Sequence, residues 1–396
     1  MKRPVKLMVL SILLLPSMTY ANEWEGSGYV GLESRVFSQD ARYPSQHDGA
    51  NLSVMFQPEL RWQHDNGRQR VSLVGFARAD AKDSERSHLD VREAYWALEK
   101  DNWSLLVGIN KIFWGVTESR HLVDVINQTD GVEDMDGEDK LGQPLININM
   151  QRDWGAVDFF LLPYFRERTF PGMEGRLRTP LVIDTDNALY ESSEEETHID
   201  WSIRYSHYFG DVDLGVYVFD GTSREPQFAP SSSGQALIPV YPQMTQVGLD
   251  LQYTYNAWLW KLELIARDMT DDEFAAFVAG YEYSFYQIND SAMDLSVLTE
   301  LLYDGRDENN PVLFDQDLFL GSRLAFNDSQ DSSLLAGVVI DRETEELFFS
   351  IEAERRLNDQ LSAEFRLRVF HNAQPEDVSY SFQRDDYLQL TLKGYF

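Results

Sequence analysis

Cysteine is absent from the 396-residue chain, so no disulfide framework supports it and stability must come from backbone pairing and burial. Basic residues are scarce: 34 Lys and Arg stand against 66 Asp and Glu, a net charge of −32. That balance argues against a nucleic-acid partner, because such binding rests on basic contacts to phosphate. Long apolar runs are missing after residue 21, where hydrophobic stretches are short and broken by charge. A helical membrane span needs about 20 consecutive apolar residues, so any passage of this chain through a bilayer would use strands. The seven histidines, His47, His64, His88, His121, His198, His207 and His371, are scattered. None sits in a nucleophile motif, and G-x-S-x-G, H-E-x-x-H and the phosphate loop are all missing. These absences predict no catalytic role and no cofactor.

The N-terminus has what the rest lacks. Lys2, Arg3 and Lys6 precede an apolar run from Leu7 to Leu15, followed by "TYA" at Thr19 to Ala21. That order is the charged, apolar and small-residue succession of a secretory signal peptide. Cleavage after Ala21 is expected, which assigns 1–21 to the leader and 22–396 to a single exported domain. Loss of the three basic residues takes the net charge from −32 to −35.

Period-2 alternation runs through the remaining chain, as half-buried strands require. Together with turn residues it predicts about eighteen strands (16–18), the first near 27–39 and the last near 384–396. Between them, short turns such as "DNGR" at Asp65 to Arg68, "GD" at Gly210 and Asp211, and "NDQ" at Asn358 to Gln360 alternate with long polar stretches. The long stretches fall near 40–50, 114–145, 167–196, 221–241, 305–314 and 372–383. Short and long connections keep one phase along the chain, and both termini fall on the short-turn side. This is the pattern of an all-β, antiparallel up-and-down transmembrane barrel.

Strand parity assigns the faces. Leu361, Ala363, Phe365, Leu367 and Val369 share one side, with Glu364, Arg366 and Arg368 on the other. Trp258, Trp260, Leu262 and Leu264 likewise oppose Lys261, Glu263 and Arg267. An Arg or Lys facing lipid at mid-depth costs about 2–4 kcal/mol, so the charged parity is expected to face the lumen. It supplies candidate cations Arg35, Arg61, Arg78, Arg204, Arg267, Arg323, Arg366 and Arg368. The candidate anions are Glu33, Glu59, Asp200, Asp250, Glu263, Asp294, Glu300, Glu352 and Glu364. Two readings stay open for them: mutual ion pairing that fills the interior, and the lining of a selective path.

The third connection on the long-loop side, Ile112 to Leu145, which follows 40–50 and the shorter 82–86, is the most informative. In "TESRHLVDVINQ", Leu122, Val123 and Ile126 have the spacing of one turn-rich helical segment. "DGVEDMDGED" follows, expected as a solvated acidic loop. Its carboxylates Asp134, Asp136, Glu138 and Asp139 are weak candidates for Ca²⁺, because they lack the twelve-residue calcium-loop spacing.

The leader, the alternating strands, this long third loop, the stretch "REAYWALEKDNWSLLVGINKIFWG" at Arg92 to Gly115 and the terminal Phe396 resemble Gram-negative outer-membrane porins. The strand count is similar to the substrate-specific porins and the alginate-export barrels. The resemblance implies periplasmic termini, outer-membrane lipid and lipopolysaccharide as surroundings, small hydrophilic solutes as permeants, and a possible homo-oligomer. It also implies a third loop folded inward, with Lys111, Trp114, Glu118, Arg120 and His121 lining a constriction or anchoring the loop base. The final strand, with Tyr387, Leu388, Leu390, Leu392, Tyr395 and Phe396, resembles the signal read by the barrel-assembly machinery. A passive channel is therefore expected. The alternatives are a ligand-specific channel for an acidic oligo- or polysaccharide, for which Arg355, Arg356, Arg366 and Arg368 form a candidate ladder, and a plugged barrel with a structural or surface-recognition role.

Overall fold

The computed structural model describes residues 24–306, 312–375 and 377–396, and the expected leader lies outside the described residues. Eighteen antiparallel strands form one barrel. The first nine are β1 (Trp24–Phe37), β2 (Ala50–His64), β3 (Gln69–Asp80), β4 (Leu89–Lys100), β5 (Trp103–Asn110), β6 (Gln143–Arg152), β7 (Gly155–Leu162), β8 (Asp200–Phe209) and β9 (Val212–Thr222). The rest are β10 (Gln243–Tyr255), β11 (Trp258–Met269), β12 (Asp272–Phe285), β13 (Asp294–Asp304), β14 (Asp317–Ala325), β15 (Ser333–Asp341), β16 (Leu347–Asn358), β17 (Leu361–His371) and β18 (Tyr387–Tyr395). β18 closes on β1, in register from Tyr29 opposite Tyr395 to Phe37 opposite Tyr387. Closure removes the unpaired edge that lipid does not tolerate.

Alternation sorts the side chains as parity requires. Leu388, Leu390 and Leu392 are 42, 44 and 36% exposed on the outer face, whereas Tyr387, Gln389 and Thr391 between them are buried inside. At the seam the Phe396 ring stacks on Phe56, centroids 6.1 Å apart. It also covers Gly28, where a Cβ would lie 2.3 Å from the Gln57 carbonyl oxygen and 2.9 Å from the Phe396 ring. Only glycine lets the terminal ring and the second strand approach that closely.

One end of the barrel carries the expected tight turns. Asp65, Asn66 and Gly67 take φ of 54, 55 and 82°, a conformation that Asn, Asp and Gly adopt at low cost. Two turns there, 286–293 and 326–332, are longer than the short links that "ND" at Asn289 and Asp290 and "DSQ" at Asp328 to Gln330 lead one to expect, because left-handed residues at Gln287, Asn289, Asp290, Asn327 and Asp331 delay re-entry into the sheet. The other end carries the long connections, with two exceptions: β11 and β12 meet through Thr270 and Asp271 alone, and β15 and β16 through residues 342–346.

The stretches 167–196 and 221–241, expected as polar loops, share a four-stranded sheet. Ala236–Tyr241 pairs antiparallel with Gln227–Pro230, and parallel with Val182–Ile183 and Leu189–Tyr190. These runs are too short to show a period in sequence.

The interior is divided. From β6 to β15 the inward face carries an apolar cluster that includes Phe160, Tyr217, Phe219, Ile265, Val278, Leu298 and Phe319. Around the β18–β1 seam it carries arginines and carboxylates. Parity predicted a uniformly polar lumen; the apolar sector is a correction, and the third loop explains it.

Candidate functional site

The third connection on the long-loop side, residues 111–142, lies inside the barrel. It contains no helix, contrary to the helical segment expected near Leu122. The spacing of Leu122, Val123 and Ile126 has another cause: Leu122, Val123, Val125 and Ile126 are all buried against the apolar wall. Aliphatic side chains on both sides of that contact leave water together, at roughly 25 cal/mol per Å².

An extended loop leaves its backbone N–H groups without helical partners, and buried donors must be satisfied. Two wall carboxylates satisfy them. Glu263 accepts the Val116 amide at 2.7 Å, the Thr117 amide at 3.1 Å, the Thr117 hydroxyl at 2.7 Å and the Val123 amide at 3.2 Å. Glu300 accepts the Glu118 and Ser119 amides, each at 2.8 Å, and the Ser119 hydroxyl at 2.6 Å. Arg224 donates to the Ile126 carbonyl, and the Asn127 amide group donates to the carbonyls of Asn110 and Leu141.

The acidic segment is only partly solvated: Asp136 and Glu138 are exposed. Asp130, Glu133 and Asp134 are buried and each meets a wall arginine. Arg92 bonds Asp130 at 2.6 Å, Arg78 clasps Glu133 and also reaches Glu33, and Arg366 and Arg368 take Asp134. Arg86 completes this side from Glu33 and Asp80. Neutralisation by arginine is what allows the loop to be acidic and buried at once.

These contacts settle where the proposed metal ligands go. Asp134 and Asp136 face Arg368, Glu138 pairs with His121 at 3.0 Å, and the Asp139 carbonyl accepts the Asp130 amide. The four do not converge on a common point for Ca²⁺. His88, Asp130 and Glu133 do bring ligand atoms within 4.8 Å of one another, but Arg92 and Arg78 already supply the positive charge there.

The residues expected at a constriction separate into two groups. Trp114 does not face a passage: it is buried against Phe160 and Tyr217, with the Arg204 guanidinium 4.9 Å from its ring. Arg204 in turn pairs with Asp250, and Arg267 with Glu225. Lys111, Glu118, Arg120 and His121 keep some access to the interior space. Glu118 bonds Arg323, Arg120 bonds Asp304, and Lys111 lines a cavity of about 100 Å³ beneath the loop with Arg78, Arg366, Glu364 and Lys393. Burial pulls the His121 imidazole down, but Glu138 and Glu263 hold it up at about 10. Glu225 is partly exposed and lies among Arg306, Arg267 and Arg120, which, against the cost of removing it from water, hold its carboxyl well below the ordinary range.

Arg355 and Arg356 lie at the short-turn end, exposed and paired with Asp328 and Asp331. They do not continue the row of Arg366 and Arg368, so the expected arginine ladder is interrupted. Glu59 and Arg61 pair with each other toward the same end, where Asp294 caps the turn at Gln287. Asp200 and Glu352 bond Arg224 and Arg368. Sequence parity missed Arg86, Arg224, Glu225 and Arg306, because all four stand in loops where alternation gives no direction.

The eighteen-stranded closed barrel, with its outward apolar band and inward third loop, has the fold of solved outer-membrane porins. A BenF-like porin from Pseudomonas fluorescens Pf-5 shares that fold at a TM-score of 0.53 and 9% identity, over 94% of this chain and 98% of that one. OccK9 (OpdG) of Pseudomonas aeruginosa matches at 0.51 and 9% over the same shares of the two chains. Wzi of Escherichia coli, an outer-membrane carbohydrate-binding β-barrel involved in group 1 capsule assembly, matches at 0.52 and 8%, over 93% of this chain and 84% of that one. No family model and no curated protein matches the sequence.

Proposed function

We propose that the protein is an outer-membrane channel for passive diffusion of small hydrophilic solutes, narrowed by its third loop. The observation that carries this is the fastening of the loop across the lumen by Glu263, Glu300 and the arginines around the seam. A segment serving only as an outer connection has no need of buried wall carboxylates as ligands for its backbone.

The path runs past the charges that keep water exposure: Lys111, Glu118, Arg120, Arg323, Glu138, Glu364 and Arg366. Their mixed sign orients polar permeants rather than selecting one ion strongly. The short-turn end, with both termini, faces the periplasm, and the chain is exported by the leader 1–21. Lipid and lipopolysaccharide surround the barrel, and the assembly machinery reads the terminal strand. The residues around the site have no catalytic part in this reading. Proteoliposome swelling tests it: sugars of increasing size should enter at falling rates, and absence of entry for the smallest would reject a diffusion channel.

A second reading is a carbohydrate-binding barrel closed to diffusion. Loop interlocking favours it: Arg176 bonds Asp385 at 2.6 Å, Asp83 accepts the Gly172 amide, and Arg178 bonds Ser45. These contacts tie the long connections around the seam into a cover. Saturable oligosaccharide binding without solute entry would decide for it.

A further inference from the structure

The charges that keep contact with the interior space have an uncharged neighbour. From Lys111 to Trp114 the inward loop follows the barrel wall, and its side chains alternate. Ile112 and Trp114 pack against the apolar sector, with Trp114 only 7% exposed, whereas Lys111 is exposed and Phe113 is 58% exposed. The wall lies on one side of this stretch, so the Phe113 ring points away from it, toward the space that Lys111 borders. Inward phenylalanines elsewhere, such as Phe76, Phe160, Phe219 and Phe274, are buried. A phenyl ring left in water forgoes that gain.

The exposed ring is held in place. It meets the His121 imidazole in a T-shaped contact, centroids 4.8 Å apart and planes at 86°, a geometry in which aromatic rings attract. His121 in turn pairs with Glu138 at 3.0 Å and lies 3.6 Å from a carboxylate oxygen of Glu263 on β11. Gly115 lets the two rings meet. Its φ is 155°, and a Cβ there would lie 2.6 Å from His121 Nδ1 and 3.2 Å from the Phe113 ring. Glu263, His121 and Phe113 thus form one chain of contacts from the wall to the ring.

We propose that Phe113 sets the width of the passage, as an apolar stop fixed by His121 and set beside the charges of Lys111 and Glu138. The proposal rests on the reading of the protein as a channel and names the residue that decides which solutes fit. A phenyl ring can neither pair with an ion nor replace a hydrating water, so it excludes by bulk and by the water a solute carries. The charges around it orient what passes. Trp114, the neighbouring aromatic expected at the constriction, packs on the wall and holds the loop instead.

The test records single channels in planar bilayers from the unsubstituted protein, Phe113→Ala and Phe113→Trp. Phe113→Cys is added for thiol labelling, which the absence of native cysteine makes specific. Tryptic cleavage at Arg120 is followed in each protein to show whether the loop stays in place. The expected result is a larger current step in Phe113→Ala, a smaller one in Phe113→Trp, and unchanged cation-to-anion permeability in both. A small methanethiosulfonate reagent should lower the current of Phe113→Cys stepwise, with cleavage at Arg120 unaltered throughout. Equal steps in all proteins would overturn the proposal while leaving the channel intact. Altered steps that accompany faster cleavage at Arg120 would overturn it too, because the ring would then act only by fastening the loop. Absence of current from every protein would reject the channel reading and the proposal with it.

Discussion

Glu263 on β11 accepts the Thr117 hydroxyl at 2.7 Å, 146 residues away in sequence. Its second oxygen takes the Val123 amide, so one wall carboxylate bridges the start and the middle of the inward loop. Replacement by Gln puts an N–H₂ group where one of these donors arrives. Glu263→Gln should cost about 1–3 kcal/mol, the penalty of leaving a buried donor unmade. Thermal unfolding would register the loss, and tryptic cleavage at Arg120 would accelerate. Unchanged cleavage would mean the tether does not hold the loop.

Ile126 is wholly buried against the inner wall. Ile126→Ala should cost about 2–5 kcal/mol if the contact behaves as a packed core. Much of that loss should appear as local release of the loop rather than as barrel unfolding, because the hydrogen-bonded wall does not depend on it. Hydrogen exchange resolves the two: faster exchange over 112–128 with strands unaltered is the expected pattern.

Arg368 is 1% exposed and faces Asp134, Asp136 and Glu352. Arg368→Met should destabilise by about 3–5 kcal/mol by stranding buried carboxylate charge. Adding Asp134→Asn should return part of it, with a coupling of about 0.5–3 kcal/mol in a double-mutant cycle. Strict additivity would show that the pair is not coupled.

Much of the architecture was legible in sequence for a physical reason. A sheet that separates lipid from a polar interior must alternate, so Leu388, Leu390 and Leu392 against Gln389 and Thr391 report their faces directly. Asp65, Asn66 and Gly67 likewise betray a tight turn by their backbone tolerance. The third loop was misread because its pattern answers to a wall, not to its own hydrogen bonds: Leu122, Val123 and Ile126 look helical, yet their periodicity is burial. The buried part of its acidic run, Asp130, Glu133 and Asp134, looked solvated because the arginines that neutralise it, Arg78, Arg92, Arg366 and Arg368, are distant in sequence. Parity named three of them as inward without naming their partners.

His121 gives the loop a pH dependence. Its ordinary pKa of 6.5 is raised to about 10 in the folded protein, where the carboxylates of Glu138 and Glu263 outweigh burial. A raised pKa contributes stability that is complete below 6.5 and is lost as pH rises through 10. Loop protection from trypsin should therefore weaken between about pH 7 and pH 10.5 in the unsubstituted protein. His121→Gln should be weaker at neutral pH and should lose the part of that change that His121 contributes; an identical profile in both would remove His121 from the linkage.

The central claim is that the third loop narrows a conducting lumen, and single-channel recording in planar bilayers reaches it most directly. Purified, folded protein should give discrete current steps, with larger steps in Glu263→Gln and a shifted cation-to-anion permeability in Lys111→Ala and Arg120→Ala. No current from the unsubstituted protein or from Glu263→Gln would contradict the account, as would steps whose size and selectivity ignore all three substitutions.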